Sequence, residues 1–156
     1  MSTFADASAV VKLYSDESGH EQVRDLVAVA IAQITRVEVP AALWRKHRMG
    51  NLDVHDAQVL TAEFEADYYG TADEEQPRFA VAGTTVEILD EAARLCAVHG
   101  LRAHDAVQLA TAVAVRAADP TCLTVAAFDA ALRSAAATEG FILLPTPTGA
   151  GGGEAR

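Results

Sequence analysis

The chain has 156 residues, 51% of them apolar and 22% charged, which is enough for one compact domain with a real core and too little for two of ordinary size. Its net charge of −10, from 12 Lys and Arg against 22 Asp and Glu, argues against a protein that grips nucleic acid by bulk electrostatics, but not against a carboxylate cluster built to receive a cation. Apolar stretches such as 26–35 and 106–115 run about ten residues without a charge, half of the roughly 20 that a membrane span needs.

The first residues carry no basic segment, and Asp6 and Lys12 interrupt any apolar run, so no signal peptide is expected and the protein is expected in the cytoplasm. Cys96 and Cys122 lie far apart and read as buried, inert thiols. The five histidines include no His-x-x-x-His pair, so a zinc site is not expected.

Thr3-Phe4-Ala5-Asp6 reads as a short strand ending at Asp6, followed by a helix over 8–14. The spacing of Val23, Leu26, Val27 and Ala30 predicts a helix over 20–30, and Ala32-Gln33-Ile34-Thr35 a strand leading into a helix over 36–48. Helices are expected over 53–69, over 84–99 (closed by Gly100), over 104–118 (closed by Asp119-Pro120) and over 128–137. Strands are expected over 78–81, 122–126 and 141–144, with an acidic loop over 71–77. The Gly-rich tail, 145–156, is expected to be disordered, which leaves one domain over 1–144. Alternating strands and helices predict an α/β fold: a three-layer α/β/α sandwich around a mostly parallel sheet.

Four acids stand at element ends. Asp6 closes the first strand, Glu38 and Asp105 lie in first helical turns, and Asp129 follows the strand at 122–126. In open α/β sheets the working edge lies beyond the C-terminal strand ends, where such acids could gather. Mg²⁺ and Mn²⁺ take carboxylate oxygens, and a bound cation can activate water and stabilise charge on a phosphate. Each acid also has a plainer role. Thr35-Arg36-Val37-Glu38 reads as a capping box, Asp105 complements a helix dipole, and Asp129 is a helix cap. Asp6 is harder to explain this way, because Ser8 is the better placed cap for the helix that follows it.

Four segments, Phe4 to Tyr14 with Asp6-Ala7-Ser8, Ile34 to Leu43 with Glu38, Leu101 to Ala112 with His104-Asp105-Ala106, and Val125 to Leu132 with Asp129, resemble in order and spacing the acidic motifs of PIN domains, and among these the VapC-type toxins. The likeness runs to about Leu144. It implies a PIN-like α/β/α fold and a Mg²⁺- or Mn²⁺-dependent endoribonuclease. Asp6, Glu38, Asp105 and Asp129 would be its catalytic and metal-binding residues, and Ser8 would orient Asp6 or a metal-bound water. It further implies RNA as substrate, a homodimer, and inhibition by a small antitoxin protein. Many relatives carry Thr or Ser two residues before the fourth acid, where this chain has Ala127; that makes Asp105 a firmer candidate for an essential ligand than Asp129.

Candidate RNA contacts are Arg36 and Arg102, beside the acids in sequence, and the cluster Arg45, Lys46 and Arg48, whose plainer reading is a helix end that favours cations. His104 belongs with the first two. No aromatic platform for stacking bases is evident. A housekeeping RNA-processing nuclease of the same type and an inactive PIN-like binding module remain open. A phosphoacceptor enzyme centred on Asp6 would want a second acid two residues on, where Ser8 stands.

Overall fold

The computed structural model describes residues 1–73 and 76–146. Its elements run β1 (Thr3–Ala5), α1 (Ala7–Val11), α2 (His20–Arg24), β2 (Val29–Ala32), α3 (Thr35–Arg48), α4 (Val54–Tyr69), β3 (Phe79–Ala82), α5 (Val86–His99), α6 (Ala103–Ala118), β4 (Thr124–Ala126), α7 (Ala130–Thr138) and β5 (Ile142–Leu144). The five strands form one sheet in the order β3-β2-β1-β4-β5, and every neighbouring pair is parallel. β1 is central. The chain builds outward from it through β2 and β3, then crosses back to place β4 on its other side.

The pleat divides the core in two. Phe4, Ala30, Ala32 and Val125 pack with α5, α6 and α7 on one face. Their neighbours Ala5, Val29, Ile31 and Ala126 pack with α1, α3 and α4 on the other. Strands buried on both faces read as continuous apolar runs, as a parallel sheet between two helical layers requires. The uncharged stretch 106–115 of α6 has its apolar character explained by this burial: Ala106 and Leu109 to Ala112 lie in the interior, and the main partner of the helix is α5.

One expectation fails between residues 20 and 35. The helix stops at Arg24, the strand is Val29–Ala32, and Thr35 is already helical. A short apolar run of Ala, Val and Ile fits both periodicities, and pairing with β1 and β3 decides for the strand. Val27, assigned to a helical face by its spacing, is 95% exposed in the connecting turn. Elsewhere the expected elements are present within a few residues. Both cysteines are free, Cys122 buried and Cys96 half-buried. Of the expected tail, Pro145 is held by Arg133, whose guanidinium donates to its carbonyl at 2.7 Å; residues 147–156 lie outside the described residues. No helix among the described residues is long and apolar enough to cross a membrane.

Candidate metal centre

Asp6 is delivered by β1 and Asp129 by the turn after β4, at the C-terminal ends of adjacent strands. Glu38 sits in the first turn of α3, after β2, and Asp105 in the first turn of α6. The reversal of strand order beside β1 opens a crevice there. All four acids line a single cavity of about 390 Å³, together with Ser8, Arg45, Arg102, His104 and Gln108.

Asp6 is buried. Its Oδ1 accepts from the Ala9 backbone N–H at 3.0 Å and from the Ser8 hydroxyl at 2.7 Å. Asp6 itself therefore caps α1, which corrects the expectation that Ser8 would. The Ser8 hydroxyl oxygen instead accepts from the Phe128 N–H at 2.9 Å, bridging the end of β1 to the segment after β4. Burial raises the Asp6 carboxyl to about 7. The Ser8 and Ala9 hydrogen bonds oppose that shift, and the charges of Glu38 and Asp105 add to it.

The capping box expected at Thr35 to Glu38 does not form. Ile34 is the cap position, with no side-chain hydrogen bond, and Thr35 is fully buried inside the helix. Glu38 turns to α6, where the Gln108 amide donates to its Oε2 at 2.8 Å and to Thr35 Oγ1 at 3.1 Å. The other Glu38 oxygen is buried without a hydrogen-bond partner. An orphaned buried acceptor costs on the order of 1–3 kcal/mol, more when charged. Burial first, and then the Asp105 charge, push the Glu38 carboxyl above its ordinary range, while Gln108 and His104 pull it down.

Asp105 is buried, with the Arg102 guanidinium 3.4 Å from one oxygen and His104 3.4 Å from the other. Arg102 also reaches Asp129 at 3.7 Å. Asp129 caps α7 through the Leu132 N–H at 2.9 Å, so its plainer role is real. Ala127 is fully buried and offers Asp129 no hydroxyl.

The candidate basic residues divide. Arg45 and Arg102 line the cavity. Arg36 is committed to Glu65 at 2.7 Å and to Tyr69, away from the acids. Lys46 pairs with Glu17 in an adjoining cleft, and Arg48 lies exposed at the end of α3. Sequence reasoning missed Gln108, whose signal is a lone amide among the apolar buried positions of α6.

An oxygen-only donor set, a buried carboxyl that resists ionising and an orphaned carboxylate oxygen fit a hard divalent cation. Among the described residues no three His, Cys, Asp or Glu side chains are already gathered into a closed ligand cluster.

A parallel sheet with acids converging beyond its C-terminal edge defines a class of α/β nucleases. The chain belongs to the PIN domain family, whose model matches residues 3–138; PIN domains are generally nucleases and usually use divalent metals. A search of curated proteins returned no match. Among solved structures, the fold is similar to PAE2754 from Pyrobaculum aerophilum, with TM-score 0.58 and 24% identity over 92% of this chain and 83% of that one. It is also similar to a chain of a toxin–antitoxin complex from Klebsiella pneumoniae, with TM-score 0.54 and 19% identity over 81% of this chain and 86% of that one.

Proposed function

We propose that this chain is a Mg²⁺- or Mn²⁺-dependent endoribonuclease and the toxin of a type II toxin–antitoxin pair. The observation that carries the reading is that four acids from four separate segments line one cavity, with Asp6 buried where its charge is costly. Asp6, Glu38, Asp105 and Asp129 would hold the cation, which when bound supplies an activated water and stabilises charge on the phosphate. Ser8 holds Asp6 in one orientation through its hydrogen bond. Arg45 and Arg102, at the cavity wall, are placed to meet backbone phosphates of an RNA strand.

The likeness to the Klebsiella pneumoniae complex supports a small antitoxin as partner. A homodimer and a cytoplasmic location belong to the same reading. Regulated expression in a bacterial host tests it. Wild type is expected to arrest growth with fragmentation of RNA, and Asp105→Asn to do neither. A mutant as toxic as wild type would overturn the assignment.

One observation favours an inactive binding module: Asp6 and Asp129 also serve as helix caps. That reading requires no Mn²⁺ binding, and calorimetric titration with Mn²⁺ separates the two.

A further inference from the structure

Gln108 lies on α6 one turn beyond Asp105, is 2% exposed, and spans to α3, the helix that carries Glu38. Its amide orientation follows from chemistry. The Glu38 carboxylate, when ionised, only accepts, so the amide nitrogen must face it, and the second N–H goes to Thr35 Oγ1. With both donors used, the Gln108 oxygen is left buried with no partner. An apolar side chain of the same length would remove this orphaned oxygen but would leave Glu38 Oε2 without its donor. The fold tolerates the orphan, and what it gains is a fixed Glu38.

Resting on the metal-nuclease reading, we infer that Gln108 is a positioning residue. It clamps one Glu38 oxygen to the helix that carries Asp105, and so holds the other, unpartnered oxygen at the cavity for a divalent cation. The two orphaned oxygens, on Glu38 and on Gln108, both belong to side chains that line this cavity. Thr35, fully buried and one turn before Glu38 on α3, takes the second N–H of the same amide and so fixes its plane. Groups that orient a ligating side chain typically change metal affinity or activity by about 10–100-fold when removed.

The test compares wild type with Gln108→Met, and with Gln108→Leu should the first fail to fold. Mn²⁺ affinity is measured by calorimetry, with RNA cleavage measured separately. The melting temperature in EDTA is expected to fall modestly, because Glu38 Oε2 and Thr35 Oγ1 lose their donor while one orphaned amide oxygen is relieved, so affinities are compared at a temperature where both proteins are folded. Mn²⁺ binding is expected to weaken at least about tenfold, and kcat to fall by a similar factor with little change in KM. In a Glu38→Gln background the same Gln108 replacement is expected to cause no further loss of Mn²⁺ affinity, because the carboxylate it positions is already gone; a merely structural role would give equal losses in both backgrounds.

Unchanged Mn²⁺ affinity in a folded variant would overturn the inference, whatever happens to cleavage. A wild type that binds Mn²⁺ but cleaves no RNA would count against the ribonuclease reading alone, since the affinity comparison still decides the role of Gln108. A wild type that binds no Mn²⁺ would overturn both.

Discussion

The Ser8 hydroxyl donates to Asp6 Oδ1 at 2.7 Å while its oxygen accepts from the Phe128 N–H at 2.9 Å. One side chain thus joins the acid at the end of β1 to the segment that leads into Asp129. Ser8→Ala removes a donor from a buried carboxylate and orphans a backbone N–H. We expect a stability loss of about 1–3 kcal/mol by thermal unfolding, together with a cleavage rate reduced at least about tenfold. Full activity in a Ser8→Ala protein would show that Asp6 needs no such support.

The raised Asp6 carboxyl has a consequence for stability. The folded protein holds this proton up to about pH 7, whereas the unfolded chain releases it near 3.8. The stability this group contributes is therefore fully present below about pH 4 and is lost as pH rises through 7, by an amount on the order of a few kcal/mol. In EDTA, Asp6→Asn is expected to melt higher than wild type at pH 8, with the gap closing toward pH 4. Asparagine keeps an oxygen for the Ala9 and Ser8 hydrogen bonds. A gap independent of pH would remove Asp6 burial as its cause.

A cation should offset this cost of a buried charge, to which Glu38 and Asp105 add by repulsion. Saturating Mn²⁺ is expected to raise the wild-type melting temperature at pH 7.5, and to raise that of Asp6→Asn less. Equal shifts in differential scanning fluorimetry would place the ion elsewhere.

The two remaining aspartates should differ in weight. Asp105 is buried and caps nothing, while Asp129 is half-buried, caps α7 and lacks a neighbouring hydroxyl at Ala127. Asp105→Asn is expected to abolish cleavage, and Asp129→Asn to leave at least about tenfold more activity. Asparagine also serves as a helix cap, so Asp129→Asn should remain folded. Equal losses in the two rate constants would make the fourth acid as essential as the third.

Among the basic residues the structure separates Arg45 from Arg36. Arg45 lines the cavity and its side chain has no hydrogen bond or ion pair among the described residues, while Arg36 is engaged with Glu65 and Tyr69. Arg45→Ala is expected to weaken RNA binding and to lower the slope of log K against log salt by about one. Arg36→Ala should leave that slope unchanged. The reverse result would move the RNA path to the α3–α4 face.

Much of this is legible in the amino-acid sequence. Asp6 could be placed at a strand end because the short run Thr3-Phe4-Ala5 stops there, and Asp129 because a β-rich run precedes it. The β2 strand was not legible, because Val29–Ala32 fits both periodicities and only its neighbours in the sheet decide. The Glu38 capping box had the right residues at the right spacing, but the tertiary partner Gln108 claims both Thr35 and Glu38. That choice depends on α6 lying against α3, 70 residues apart in sequence, which no local pattern encodes. The same holds for Ser8, whose acceptance from Phe128 requires β1 and β4 to be neighbours.

The most direct test of the central claim is cleavage of a mixed RNA pool by the purified, antitoxin-free protein with Mg²⁺ or Mn²⁺, with EDTA, and beside Asp105→Asn. Endonucleolytic products that need the metal and vanish in the mutant are the predicted result. A well-folded wild type that leaves every RNA intact with either ion, or one that cleaves equally in EDTA, would contradict it.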